Sequence, residues 1–218
     1  MKKTILFDLD GTLTDSGEGI MNCAKLALQT FGVPIPDDKV MRTIVGPPLD
    51  DSLIHLGIPA EQVWDAIDIF RKRYTDVGKY ENVPYPGIHA LLAALKEQGH
   101  TLCVATSKPE VMALDILEHF KLSRYFTRIC GASLDKSRSS KAAVISYLIE
   151  QNGRSDNMVM VGDTAFDVLG AAEHGIPTIG VCWGYGEPED IKAAGAAALA
   201  YSMDELLTLL NQGIPALV

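Results

Sequence analysis

Thr4-Ile5-Leu6-Phe7-Asp8-Leu9-Asp10-Gly11-Thr12-Leu13 is an apolar run that delivers two carboxylates, one residue apart, into a glycine turn. Its shortness and its β-branched and aromatic content read as a strand buried on both faces, the kind found in parallel sheets. In such sheets ligands bind beyond the carboxyl ends of the strands. Strand side chains alternate, so Asp8 and Asp10 project the same way as the chain leaves the sheet, while Gly11 permits a sharp turn. Two like charges that close are costly unless a cation sits between them or one is protonated. Hard divalent cations take such oxygen ligands, and Mg²⁺ is usually held by one or two carboxylates plus waters and substrate phosphate. The tetrapeptide Asp8-Leu9-Asp10-Gly11 also suits a plain strand-end turn in which Asp caps the next helix.

Beyond this turn, the stretch from Gly17 to Phe31 spaces Ile20, Cys23, Ala24, Ala27, Leu28 and Phe31 as one buried helical face. Gly32-Val33-Pro34-Ile35-Pro36 breaks it, and helical patterns follow over Asp38 to Val45, Leu49 to Leu56 and Ala60 to about Tyr80. No strand-like run interrupts them. The pattern then changes to strands alternating with helices, the strands expected at Thr101 to Thr106, Arg128 to Gly131, Met158 to Gly162 and Thr178 to Cys182. Such alternation predicts an α/β fold of right-handed βαβ units around a parallel sheet. The first strand must join that sheet, which makes the helical block an insertion. The expected division is a core of residues 1–14 and 86–218 and an inserted helical domain of residues 15–85. Pro84-Tyr85-Pro86-Gly87 suits the return hinge before a helix from Ile88 to Gln98.

The bulk composition excludes several classes. With 218 residues and 47% hydrophobic content the chain can bury a full core. A formal charge of −9, without a basic run, works against nucleic acid as a partner. Cys23, Cys103, Cys130 and Cys182 are scattered with no CxxC pair, which disfavours zinc and disulfide frameworks. Met1-Lys2-Lys3 precedes an apolar segment too short for a signal or membrane span, so no membrane partner is expected and the cytoplasm is the expected location.

Phe7-Asp8-Leu9-Asp10-Gly11-Thr12-Leu13 resembles the first motif of the haloacid dehalogenase-like hydrolase superfamily, most members of which are phosphatases. The resemblance implies that Asp8 is a nucleophile forming an aspartyl phosphate and that Asp10 is the general acid and base. Family dehalogenases generally lack the second Asp, so Asp10 points to phosphoryl chemistry. The helical block placed directly after this motif resembles the cap of a recognised subclass, on a Rossmann-like parallel core with helices on both faces. Thr106, in Ala105-Thr106-Ser107-Lys108-Pro109, matches the phosphate-binding hydroxyl of the second motif, with Ser107 beside it. Ser107 also suits a plain helix N-cap. The third motif carries a lysine that neutralises the nucleophile and the phosphoryl oxygens; position favours Lys141 over Lys136, although the Lys-Pro-x-Pro sequence of many relatives is missing. Val159-Met160-Val161-Gly162-Asp163-Thr164-Ala165-Phe166-Asp167 matches the fourth motif. It implies a Mg²⁺ shell of Asp8, the main-chain carbonyl of Asp10, and Asp163, with Asp167 holding the metal or its waters. Asp167 also suits favourable charge at a helix N-terminus.

The implied activity is Mg²⁺-dependent hydrolysis of a small phosphorylated metabolite, of the phosphoglycolate phosphatase or 5′-nucleotidase-like kind. Two alternatives stand beside it: a sugar phosphomutase related to β-phosphoglucomutase, and a catalytically silent binding protein on the same fold. In the cap, Arg42, Gly46 and Pro47 are candidates for substrate specificity, since an arginine there can fork onto a carboxylate or second phosphate. Arg71 and Arg73 read rather as a solvated helix face. Trp183-Gly184-Tyr185-Gly186 resembles a loop near the family's active site, and equally suits a turn with two packed aromatics.

Overall fold

The computed structural model describes residues 2–135 and 137–212; Lys136, the alternative lysine of the third motif, lies outside them. In chain order, β1 (Thr4–Phe7) and β2 (Thr14–Asp15) lead into α1 (Gly17–Thr30), α2 (Asp38–Arg42), α3 (Leu49–His55), α4 (Val63–Asp76) and β3 (Val83–Pro84). The chain continues through α5 (Ile88–Glu97), β4 (Thr101–Pro109), α6 (Glu110–His119), β5 (Arg128–Ala132), α7 (Lys141–Asn152) and β6 (Met158–Gly162). It ends through α8 (Ala165–Ala172), β7 (Thr178–Val181), α9 (Pro188–Ala193), β8 (Ala198–Ala200) and α10 (Met203–Gln212). Two compact units result, Met1–Thr14 with Pro84–Val218, and Asp15–Val83. The short strands β2 and β3 lie where the chain passes from one unit to the other.

The first unit is built on a six-stranded sheet in the order β5-β4-β1-β6-β7-β8, with every strand pairing parallel. The chain therefore winds outward from β1 in both directions, which is the doubly wound order with its switch point between β1 and β6. All of β1 is buried, as its composition predicts. Alternation sends Ile5 and Phe7 to one face, into a cluster with Leu92 and Leu95 of α5, Ile116 and Leu117 of α6, and Leu206 and Leu210 of α10. Leu6 goes to the other face, among Val144, Ile145 and Leu148 of α7 and Ala171 of α8. Each such side chain contributes about 2 kcal/mol of burial, so β1 is anchored from both layers of helices. β8, α9 and α10 extend the fold beyond the strands and helices expected from sequence. β4 runs to Pro109, past its expected end at Thr106, with a shift of register against β5 after Ala105.

The second unit is helical. The buried face of α1, formed by Cys23, Ala24, Ala27 and Leu28, packs on that of α4, which carries Ala66, Ile67, Phe70 and Tyr74. The single helix expected from Ala60 to Tyr80 is three pieces: a 3₁₀ turn Ala60–Gln62, α4, and a second 3₁₀ turn Gly78–Tyr80. The break after α4 is a close backbone approach. A Cβ on Gly19 would stand 2.0 Å from the Gly78 carbonyl oxygen, and Gly19 N–H donates to Glu81 O at 3.0 Å. Similarly, α2 stops at Arg42 instead of continuing to Val45. Its end tightens into i→i+3 bonds, Thr43 N–H to Val40 O and Ile44 N–H to Met41 O, ahead of Gly46-Pro47-Pro48. Prolines cannot continue the ladder and restrict the residue before them. None of the described helices is long and apolar enough to cross a membrane.

Candidate active site

Asp8 is the first residue beyond β1, and its N–H extends the ladder to Val161 O at 2.9 Å. Asp163 is the first beyond β6, the strand on the other side of the switch point. Parallel pairing therefore delivers these two carboxylates, 155 residues apart in sequence, to the same end of the sheet. Asp167 comes from the first turn of α8, and Lys141 from the first turn of α7. One carboxylate oxygen from each of Asp8, Asp163 and Asp167 lies within 4.8 Å of the others. Lys141 Nζ stands 2.8 Å from Asp8 Oδ1 and 2.7 Å from Asp167 Oδ1, and it donates a hydrogen bond to Ala105 O at 2.9 Å.

The second oxygens are fixed by neighbours. Asp167 Oδ2 accepts from Thr164 N–H at 3.1 Å and from Thr164 Oγ1 at 2.9 Å, a capping box at the start of α8. One Asp167 oxygen thus caps α8 and the other faces the cluster. Asp163 Oδ1 accepts from Thr12 Oγ1 at 3.0 Å, and Asp163 Oδ2 from Tyr185 N–H at 2.9 Å. Trp183 Nε1 donates to Thr12 O at 3.2 Å, so the Trp183-Gly184-Tyr185-Gly186 loop braces both Thr12 and Asp163. Gly11 makes the turn possible. Its φ is +81°, and a Cβ there would lie 2.1 Å from Asp163 Oδ2.

Burial, then the charges of Asp167 and Asp10, push Asp8 up to about 6, against the opposing pull of Lys141. Asp163 is raised well above the ordinary carboxylate range, by burial first and then by Asp167 and Asp8. For Lys141 burial disfavours the ammonium, but the Asp167 and Asp8 carboxylates outweigh it and hold the group above the ordinary lysine range.

Asp10 takes a separate partner. Lys108 Nζ lies 2.5 Å from Asp10 Oδ2, a pair that sequence reading did not find. Lys108 directly follows the Thr106-Ser107 hydroxyls, and that adjacency is the only linear signal for it. Thr106 is buried, and its Oγ1 accepts from Lys108 N–H at 3.2 Å. Ser107 is exposed and does not cap α6, whose capping position is Pro109. Arg138 is tied down by Gly131 O at 2.8 Å, Glu110 Oε2 at 3.2 Å and the Tyr147 ring. In the helical unit, Arg73 is paired rather than free on a solvated face, since it forks onto Glu81 at 2.6 and 2.8 Å. Arg42 is exposed and lines a cavity of that unit, which Gly46 and Pro47 do not line.

The donor set fits a hard divalent cation. Asp8 Oδ1 and Asp167 Oδ1 are buried oxygens that meet the Lys141 ammonium at 2.8 and 2.7 Å, so that one ammonium faces a cluster of three carboxylates. Three carboxylates crowded around one point, two of them with raised pKa, are the signature of a site completed by positive charge. The carboxylate of Asp10 is not a member of that trio; its expected place in a metal shell rests on its main-chain carbonyl.

Comparison with known proteins agrees with this geometry. A family model described as haloacid dehalogenase-like hydrolase matches residues 5–181. The chain is 41% identical over 191 residues to a 5′-nucleotidase of Pseudomonas aeruginosa, covering 87% of this chain and 86% of that protein. It is 42% identical over 210 residues to the tyrosine-protein kinase PtkA of Mycobacterium tuberculosis, covering 95% of this chain and 72% of that one. The crystal structure of a predicted phosphatase from Clostridium acetobutylicum superimposes with a TM-score of 0.92 at 44% identity, covering 98% of this chain and 100% of that one. By its matched residues, its doubly wound sheet and its acidic cluster, the chain belongs to the haloacid dehalogenase-like hydrolases.

Proposed function

We propose that the protein is a Mg²⁺-dependent phosphatase that hydrolyses a small phosphomonoester through an aspartyl phosphate on Asp8. The observation that carries this reading is the buried cluster of Asp8, Lys141, Asp163 and Asp167 at the switch point of the sheet. Asp8, Asp163, Asp167 and the main-chain carbonyl of Asp10 would hold Mg²⁺, which supplies positive charge against a phosphate oxygen and Asp8.

The remaining steps belong to side chains. Lys141 faces Asp8 at 2.8 Å and, with Thr106, holds phosphate oxygens in line with the nucleophile. Thr106 Oγ1 accepts from Lys108 N–H, which leaves its own O–H to donate to phosphate. As the bond from Asp8 to phosphorus forms, the bond to the leaving oxygen breaks and Asp10 protonates that oxygen. Asp10 then takes a proton from water, whose oxygen attacks phosphorus. The bond to Asp8 breaks and inorganic phosphate leaves. Lys108, at 2.5 Å, orients the Asp10 carboxyl for both transfers. Four cysteines free of disulfides support a reducing, cytoplasmic location.

The test is phosphate release from phosphoglycolate, nucleoside monophosphates, sugar phosphates and pyrophosphate, with Mg²⁺ or EDTA. Turnover that needs Mg²⁺ and vanishes in Asp8→Asn is the expected result. Turnover that survives Asp8→Asn, or no turnover of any substrate, overturns the reading.

A further inference from the structure

Within the helical unit lies a cavity of about 210 Å³, lined among others by Asp15, Glu18, Met21, Arg42, Asn82 and Val83. Asn82 is only 6% exposed, yet neither its Oδ1 nor its Nδ2 has a hydrogen-bond partner among the described residues. Each unpaired half of a buried amide costs about 1–3 kcal/mol. The position is also held firmly. The preceding residue, Glu81, is forked by Arg73 at 2.6 and 2.8 Å, and its carbonyl accepts from Gly19 N–H at 3.0 Å. A rigid, unsatisfied amide facing a cavity calls for a ligand that offers an acceptor and a donor side by side.

The walls narrow the choice. Two carboxylates, Asp15 and Glu18, stand against the single guanidinium of Arg42, which disfavours a second anionic group such as a carboxylate or phosphate. Met21 and Val83 supply apolar surface, and a guanidinium plane stacks on flat rings. An Asn amide pairs in two-point fashion with the edge of a nucleobase, while carboxylates accept from exocyclic amines and hydroxyls.

We propose that this cavity binds a nucleobase, its edge read by the Asn82 amide and its face covered by Arg42. The site stands independently of the phosphatase reading. Titration calorimetry of the full chain with adenosine, guanosine, cytidine and uridine, which carry no phosphate, tests the site without any turnover. At least one nucleoside is expected to bind, and Asn82→Leu and Arg42→Ala are expected to weaken it about tenfold or more, the worth of a good two-point contact. Circular dichroism checks folding, and if Asn82→Leu does not fold, the exposed Arg42→Ala variant carries the test. Failure of all four nucleosides to bind, or binding unchanged in the folded variants, overturns the proposal. Nucleoside binding without hydrolysis of any phosphomonoester leaves the site standing and defeats the phosphatase reading. Hydrolysis confined to phosphoglycolate, with no nucleoside bound, does the reverse.

Discussion

Asp163 cannot turn away from the cluster, because Thr12 Oγ1 at 3.0 Å and Tyr185 N–H at 2.9 Å each claim one of its oxygens. Replacing Thr12 by the isosteric Val removes a donor from a fully buried carboxyl group, at a cost of about 2 kcal/mol for leaving a buried acceptor unpaired. Urea unfolding of the metal-free Thr12→Val variant is expected to show that loss; an unchanged midpoint would mean that Thr12 does not support Asp163. Lys108 gives a kinetic counterpart. General acid and base catalysis contributes roughly 10²–10⁴-fold, and it depends on the placement of the acid. Lys108→Met is therefore expected to lower kcat for phosphate release about tenfold, with KM little changed, by releasing the Asp10 carboxyl from its 2.5 Å contact. A change confined to KM would assign Lys108 to substrate binding instead. Asp8, Asp10 and Asp163 are legible in the sequence because each stands where an apolar run meets a turn, and Asp167 through the resemblance of its motif to the family's fourth. It could not reveal that Lys108 reaches across 98 residues to Asp10, since such a pairing exists only once β4 lies beside β1. Ser107 misled for the opposite reason: a hydroxyl before Pro109 looks like a cap, but β4 runs on through it.

Among the elements, α4 is tied to the 3₁₀ turn that follows it by the fork of Arg73 onto Glu81. Arg73 holds the Glu81 carboxyl below its ordinary value of 4.5, burial opposing. A carboxylate with a depressed folded pKa contributes stability above its unfolded pKa and loses it as pH falls through the folded one. Glu81→Gln is thus expected to cost about 1 kcal/mol at pH 7, a two-point but partly solvated pair. That corresponds to about 2–4 °C in melting temperature for a chain of this size. The difference from wild type is expected to shrink toward zero well below pH 4.5. A difference that stays constant through the acid range would show that the pair does not act through its charge. Local pattern foretold most elements of this kind, the amphipathic α1 and the buried strands above all. It failed where tertiary contact decides. The helix expected through Val77 breaks because the Gly78 backbone must meet Gly19, and β8, only Ala198–Ala200, has too little side chain to signal a strand.

For the whole molecule, the acidic cluster links folding, protons and metal. Asp8, pushed up to about 6, and Asp163, raised well above its ordinary range by burial, are carboxyls whose folded pKa exceeds the unfolded one. Such groups contribute stability that is fully present below the unfolded value of 3.8 and is lost as pH rises through the folded values. The metal-free protein is accordingly expected to lose stability from this cluster between about pH 4 and pH 6 and above. A divalent cation acts in the opposite direction, since it binds the ionised carboxylates and displaces their protons. At a hundred times its dissociation constant, Mg²⁺ stabilises the folded state by about 2.7 kcal/mol, or roughly 5–10 °C at about 2–4 °C per kcal/mol. Thermal melts at one fixed Mg²⁺ concentration are therefore expected to show a large shift at pH 7.5 and a small one at pH 5, with EDTA reversing both. Calorimetry in two buffers of different ionisation enthalpy is expected to register proton release on binding near pH 6. Asp163→Asn should abolish the shift, because it removes one of the three carboxylates that meet within 4.8 Å. A Mg²⁺ shift of equal size at both pH values, or one that survives Asp163→Asn, would place the cation elsewhere. The raised carboxyls would then be balanced by Lys141 alone, and a phosphate would meet the Lys141 ammonium with the Thr106 hydroxyl only as a hydrogen-bond donor.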